Sequence, residues 1–268
     1  MQAFGNSFIY NGFSSEDLDL VLCAFGSENN SPAIVKRQGI TSEMNQYRPY
    51  QNYKGMEYAD VLRFPVSFMK ADAGRLTRDE IRQITAVLTS PSFPRAFSIE
   101  GLAGDDEQVY ENLVYYGVFD DEFSYFEYGG VKCGFTATFT CNAPYPFEPY
   151  TASFACQTTA VVTIDNTSDE LEMSLSPVLR ITPHSSGLIS IDNQTDTTQG
   201  PCTLNCMANN VITLDSRRKK LTDINGRPYS FEYFNLTWPR LIPGKNKLLL
   251  SGNFDLEIQC EFPRKVGI

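Results

Sequence analysis

The closing segment of the chain alternates apolar and polar residues with a period of two, and this pattern constrains the fold more than any other. After the Gly252-Asn253 turn, the even positions from Phe254 to Cys260 are apolar, whereas the odd positions from Asp255 to Glu261 are polar. Successive side chains of a strand point to opposite faces, so this segment has one buried and one solvated face. It predicts an antiparallel strand that covers a core and carries no catalytic residue.

Short β-rich runs recur through the second half of the chain, separated by turn residues roughly every 8–12 positions. They lie at 158–164, 171–175, 178–183, 187–191, 202–207, 211–215, 220–221 and 231–236. No helical period is present between them. This half therefore predicts a β-sandwich of the jelly-roll or galectin kind.

One helix is predicted in the first half, directly after a strand at 61–69. Thr77 fits the N-cap, Glu80 fits the position that reaches back to the Thr77 amide, and Leu76 would pack on Ile81. The apolar stripe consists of Ile81, Ile84, Val87 and Leu88, and Pro91 ends the helix. A single amphipathic helix among strands must bury its stripe on a sheet.

The remaining first half also favours strands, including a hairpin at 123–128 and 131–141 joined by Gly129-Gly130. The proline-rich cluster at 142–149 interrupts both the helical and the strand period, which is typical of a domain boundary. The chain is thus predicted to be mainly β, with an N-terminal domain at 1–145 and a C-terminal domain at 146–268.

Charge and composition exclude some classes of function. The formal net charge is −10 with a pI near 4.7, whereas tight binding to duplex DNA requires clustered Lys and Arg. No apolar run reaches the roughly 18 residues of a membrane span, and the first residues lack a signal-peptide pattern. The seven cysteines have no metal-binding spacing, because Cys202-x3-Cys206 lacks a second pair. They are expected to be free, mostly buried thiols made in a reducing cytosol.

The sequence offers little for catalysis, cofactors or metals. His184 is the only histidine, and the neighbouring Ser185 and Ser186 are explained by a Ser-Ser-Gly turn. The acidic clusters at 105–107 and 120–122 lack the spacing of an EF-hand and are interpreted as solvated turns rather than a cation site. No enzyme activity, cofactor or metal is predicted.

A polar stretch at about 26–59 is too long for an ordinary connection, so it is either a long hairpin or a functional loop. It contains Tyr47, Tyr50, Tyr53 and Tyr58. Tyrosine supplies a large contact area at low entropy cost and is enriched in interfaces. These tyrosines are predicted to contact a neighbouring subunit.

The only dense basic run comprises Arg217, Arg218, Lys219 and Lys220. It has no interleaved aromatic residues for base stacking, which argues against a nucleic-acid patch. A hairpin tip or a rim contact with an acidic partner is the favoured interpretation of Arg217 and Arg218.

The order of elements and several short motifs resemble the distal tail proteins (Dit) of long-tailed, siphovirus-type bacteriophages. The local matches are Tyr10-Asn11-Gly12, the helix with its Leu88…Pro91…Pro94 exit, Asn225-Gly226, Pro239–Asn246 and the closing Phe262–Gly267. One region departs from the family, because 48–55 replaces the Pro-Gly-Arg-Asp-Gly-like turn of many relatives and only Gly55-x-x-Tyr58 is familiar.

The resemblance implies a structural virion protein at the tail tip, made in the host bacterial cytoplasm. The N-terminal β-sandwich-like domain, with its packed helix, would form a homohexameric ring that continues the tail tube, and a galectin-like sandwich would follow. The implied partners are the major tail tube protein, the tail-associated hub protein and baseplate or receptor-binding proteins, with DNA passing through unbound. Asp105, Asp106, Asp120 and Asp121 would then face the lumen.

Two other functions compete with this one. Galectin-like sandwiches often present aromatic residues to sugars, and Trp238 and Tyr233 are the candidates here, although Trp238 precedes Pro239 and is expected to pack in or beside the core. A hydrolase acting on cell wall would need an acid/base pair that the sequence does not show.

Overall fold

A computed structural model of the chain describes residues 7–23, 35–41, 53–72, 74–100, 112–120 and 123–265. Antiparallel strands dominate these residues, and they contain one α-helix, α1 (Arg78–Thr89). The chain divides into two compact units, one running to Phe147 and the other covering Glu148–Arg264. The prediction of a mainly β chain with one packed helix is confirmed.

The described part of the first unit contains ten strands. They are β1 (Ser7–Tyr10), β2 (Phe13–Ser14), β3 (Leu20–Leu22), β4 (Arg37–Thr41), β5 (Tyr53–Tyr58), β6 (Arg63–Lys70), β7 (Arg95–Glu100), β8 (Tyr115–Phe119), β9 (Ser124–Tyr128) and β10 (Val131–Cys141). Eight of them form one sheet in the order β2-β1-β7-β8-β10-β6-β3, with β9 paired to the first half of β10. The strands β4 and β5 form a separate hairpin.

The eight-stranded sheet curves back on itself to enclose an aromatic core. Phe8 on β1 and Phe68 on β6 are separated by three strands, which in a flat sheet would place them about 19 Å apart. Their ring centroids are only 5.1 Å apart. The other large aromatic residues of this core are Tyr10, Phe13, Phe64, Phe97, Tyr115, Phe119, Phe135 and Phe139. The predicted sandwich-like arrangement therefore comes from one strongly curved sheet.

Helix α1 begins with the predicted capping box. Thr77 Oγ1 accepts a hydrogen bond from the Glu80 amide at 3.2 Å, and Glu80 Oε2 accepts one from the Thr77 amide at 2.7 Å. Ile84 and Leu88 are buried in the aromatic core. Lys70 Nζ lies 2.6 Å from Glu80 Oε1, so an ion pair joins the start of the helix to β6.

The second unit is a two-layer sandwich. Its strands are β11 (Phe147–Cys156), β12 (Thr159–Asn166), β13 (Val178–Pro183), β14 (Gly187–Asn193), β15 (Cys202–Cys206), β16 (Ile212–Asp215), β17 (Lys220–Asp223), β18 (Gly244–Ser251) and β19 (Phe254–Pro263). One sheet has the order β11-β19-β13-β16-β17 and the other β12-β18-β14-β15. Apolar side chains from both sheets, such as Ile258 and Leu250, meet in one hydrophobic cluster.

Three sequence predictions in this unit were wrong. The strand β11 was missed because Pro149 argued against one, yet β11 is an edge strand, where the missing proline N–H is tolerated. Residues 171–175 form a turn and only a single bridge, from Leu175 to Leu241. Residues 231–236 begin as a 3₁₀ turn (Phe231–Tyr233), capped by the Ser230 hydroxyl, instead of a strand.

The cysteine side chains of the chain are thiols and form no disulfide. All seven cysteines are free and five are buried, as predicted. Desolvation raises the pKa of the Cys141, Cys202 and Cys206 thiols to about 12, which keeps them in the unreactive neutral form. The one described helix is too short to cross a membrane.

Candidate interaction surfaces

The β4–β5 hairpin of the first unit is strongly exposed. Every side chain of β4 is exposed, and the two large apolar side chains of the hairpin, Ile40 and Met56, are 40% and 43% exposed. A two-stranded hairpin is marginally stable without a covered face. Of the two alternatives left open for the long polar stretch, the described residues show the hairpin.

The four predicted interface tyrosines are placed only in part. Tyr58 ends β5, where its ring packs at 5.7 Å from the Tyr145 ring and lies 5.3 Å beneath the Arg37 guanidinium. The backbone of Tyr53 begins β5 opposite Thr41. Tyr47 and Tyr50 lie outside the described residues.

The basic run lies at the tip of the β16–β17 hairpin. Arg217 and Arg218 are strongly exposed and reach acidic side chains of their own unit, Glu261 at 3.6 Å and Asp215 at 3.9 Å. Exposed pairs of this kind contribute little to stability.

Four aromatic side chains, which we call the aromatic platform, surround the turn after Ser230. They are Tyr229, Phe231, Tyr233 and Trp238. Phe231 is 49% and Tyr233 42% exposed, whereas Trp238 packs on the core through an edge contact with Phe234 at 4.9 Å. The expectation that Trp238 packs beside the core is confirmed, whereas Phe231 was not among the candidates predicted from sequence.

His184 lies at the surface of the second unit, beside an acidic side chain. His184 Nε2 lies 3.0 Å from Asp255 Oδ2, but both side chains are about half exposed. The Ser186 hydroxyl accepts a hydrogen bond from the Ala208 amide, which makes it part of a turn. Across the described ranges, no three His, Cys, Asp or Glu side chains are grouped as metal ligands.

The four acids suggested for a lumen are described only at Asp120. This exposed carboxylate accepts a hydrogen bond from the Thr140 hydroxyl at 2.6 Å. Asp105, Asp106 and Asp121 lie outside the described residues.

The Pro239–Asn246 motif serves the fold of the second unit. Asn246 is fully buried, and its amide oxygen accepts hydrogen bonds from the Ile242 amide and the Asn193 side chain, both at 2.9 Å. Its amide nitrogen donates to the Ile242 and Gly244 carbonyls. The buried side chain thus provides hydrogen-bond partners for backbone groups of the turn that leads into β18.

An ion pair holds the same segment from the other side. Arg240 Nε lies 2.6 Å from Asp196 Oδ2, and Arg240 Nη2 lies 3.2 Å from Asp196 Oδ1, while the same Nη2 also contacts the Thr198 hydroxyl. Asp196 is buried. The Arg240 guanidinium, with help from Thr198, holds the pKa of the Asp196 carboxyl well below its usual range.

Comparison with known proteins assigns the family. Residues 4–143 match the model of a phage tail protein N-terminal domain, and residues 146–260 match that of the phage tail C-terminal domain. This chain belongs to that phage tail protein family. No curated protein matches the chain in sequence.

The phage tail protein also has the fold of a solved tail component. It is similar to the SPP1 Dit protein, described as a paradigm of the hub adsorption apparatus in phages that infect Gram-positive bacteria. The TM-score is 0.64 at 15% identity, with 96% of this chain and 98% of the SPP1 chain covered. The resemblance to Dit proteins is therefore confirmed across both units.

Proposed function

We propose that this phage tail protein is a structural adaptor at the distal end of the tail. Six copies form a ring that joins the tail tube to the baseplate hub and lets DNA pass. The observation that carries this proposal is the likeness to SPP1 Dit, a hub protein, along nearly the whole of both chains. The adaptor holds other proteins and turns over no substrate.

The ring contact is assigned to the β4–β5 hairpin. A hairpin that contacts a different surface of the next copy makes a heterologous interface, and such an interface closes into a ring when its rotation allows. Ile40 and Met56 would become buried in this contact. Tyr47, Tyr50, Tyr53 and Tyr58 belong to the same stretch of chain and would extend it.

The net charge of the chain suits a passage for DNA. Each copy carries a formal net charge of −10. A ring of such copies would repel the DNA phosphates over several ångströms, so that DNA passes through without being bound. Asp105, Asp106, Asp120 and Asp121 are proposed to face this lumen. Arg217 and Arg218, at an exposed hairpin tip, are proposed to meet an acidic baseplate or receptor-binding protein.

The ring is tested by imaging and sedimentation of the full chain. Negative-stain images of the purified protein should show rings with six-fold symmetry. The double variant Ile40→Ser with Met56→Ser removes both exposed apolar side chains of the hairpin, and it should abolish the rings in the images and lower the mass of the sedimenting species.

A matched control keeps this test specific. Leu171 and Met173 are a comparable exposed apolar pair in the second unit, and changing both to Ser should leave the rings intact. If rings survive the hairpin substitutions, the proposed hairpin contact is ruled out. If the wild-type chain stays monomeric at high concentration, the proposed ring is ruled out.

The aromatic platform supports a second candidate, a carbohydrate-binding role in recognition of the host surface. Half-exposed aromatic rings present apolar faces of the kind that sugars stack on, and Phe231 and Tyr233 lie on one turn. A glycan array probed with the full chain distinguishes the two candidates, because an adaptor alone would bind no glycan.

A further inference from the structure

The strand β12 presents an unprotected sheet edge. It pairs with β18 through all eight of its residues and forms one end of the four-stranded sheet, so within the described chain its other side pairs with no strand. Edge strands are normally protected by charged side chains, proline or bulges. From Thr159 to Ile164 the strand carries no charge and no proline, and its register with β18 is continuous.

The solvent-facing side chains at the centre of this edge are symmetric about Val161. Val161, which is 53% exposed, lies between Thr159 and Thr163, and both threonines are exposed. Asp165, which is also exposed, follows them within β12, whereas Gln157 lies in the bend before the strand. The central outward residues of the strand are therefore threonine, valine and threonine.

We propose that β12 pairs in antiparallel fashion with β12 of a second copy of this chain, about a two-fold axis at Val161. The two Val161 side chains then face each other, and both become less exposed to solvent. Thr159 of each copy faces Thr163 of the other, a cross-strand pair that is favourable in sheets. Asp165 of each copy lies beyond the first residue of the other copy's β12, so no like charges meet.

Other registers fit less well. An axis at Val162 places Val161 opposite Thr163 and Thr159 opposite Asp165, so the exposed valines no longer cover each other. Because the outward side chains are symmetric about Val161, this edge is complementary to itself, and the partner that it fits is a second copy of the chain. Both copies use the same surface, so the contact is isologous. A two-fold contact of this kind differs from the head-to-tail contact of a ring, so each can fail without the other.

Cysteine cross-linking in the full chain tests the contact and its register. Directly opposite residues in an antiparallel pair have Cα atoms about 4.5–5.5 Å apart, within the range of a disulfide. Val161→Cys should therefore link two copies under mild oxidation. Thr159→Cys or Thr163→Cys alone should not, because identical residues would lie about 14 Å apart. A mixture of the two threonine variants should form the disulfide between unlike chains.

A charge substitution gives an independent readout. Val161→Lys places two lysines opposite each other and should lower the mass of the sedimenting species by half. Leu188→Lys introduces the same change at an exposed position of the same sheet, on β14, which is an interior strand, and should leave the mass unchanged.

Equal cross-linking of all three cysteine variants, or none above the wild-type chain, would overturn the proposal. It would also be overturned if Val161→Lys associated like the wild type. Cross-linking of Val161→Cys only to an added tail protein would assign the edge to a different chain and reject the second copy.

Discussion

Arg240 and Asp196 show how a single pair of residues holds a loop that lacks regular structure. The Asp196 carboxylate is buried and receives two hydrogen bonds from the guanidinium fork. The planar geometry of that fork matches a carboxylate in a way that a lysine ammonium does not. The pair therefore fixes the start of the segment that leads into β18.

We expect Arg240→Ala to lower the free energy of unfolding of the second unit more than a surface substitution does, because it leaves the buried Asp196 carboxylate without its partner. Arg240→Lys should recover only part of this loss. The matched control is Arg218→Ala, which breaks an exposed pair with Asp215 and should cost less than about 1 kcal/mol. Urea denaturation measures both, and equal effects of the two alanine substitutions would show that the Arg240 pair is no stronger than a surface one.

Among the elements, α1 has the clearest electrostatic support. The ion pair with Lys70, together with the hydrogen bond from the Thr77 amide, lowers the pKa of the Glu80 carboxyl from 4.5 to about 2. A carboxylate whose pKa is lower in the folded state stabilises the fold above its unfolded pKa. That contribution is lost as the pH falls from about 4.5 to about 2.

We therefore predict that the wild-type chain loses about 1–2 kcal/mol of stability over this pH range relative to Glu80→Gln, a figure reduced for solvent screening. Thermal unfolding at a series of pH values measures the difference between the two proteins. Asp79→Asn, which changes an exposed carboxylate in the same first turn, serves as the control and should follow the wild type. A Glu80→Gln curve parallel to the wild-type curve would contradict this account.

The edge strand β11 completes the sandwich of the second unit. The Tyr150 ring lies 5.0 Å from the Phe262 ring of β19 in a tilted contact, Cys156 is buried in the core, and Phe154 packs against the core. Arg264 Nε donates a hydrogen bond to Glu148 Oε2 at 2.7 Å, which ties the end of β19 to the start of β11. The strand β11, which was not predicted from the sequence, thus covers one side of the core.

For the whole molecule, we propose that residues 146–268 form a domain that folds without the rest of the chain. Its two sheets enclose a core made of its own side chains. A fragment covering 146–268 should unfold in one cooperative transition, measured by circular dichroism in urea. A fragment that begins at residue 158 lacks β11 and should unfold at a lower urea concentration or fail to fold. Equal urea midpoints for the two fragments would show that β11 does not stabilise this core.

Much of this architecture is predictable from local pattern because the responsible interactions lie close together in sequence. The capping box at Thr77 and Glu80 spans one helical turn, and the β9–β10 hairpin follows from Gly129-Gly130 and the flanking alternation. The inward face of β19 also follows from its period of two. In each case a few neighbouring residues specify the backbone conformation.

The surfaces depend on partners that are distant in the chain, and only the tertiary structure determines them. The alternation at 158–164 predicts a strand, but whether Val161 lies at an edge depends on which strands pair beside β12, and its partner β18 is about 90 residues away. Pro149 argues against a strand until β11 is seen to be an edge. Local sequence sets the conformation of each element, whereas exposure is set by non-local packing, and the contacts proposed for this tail protein depend on exposure.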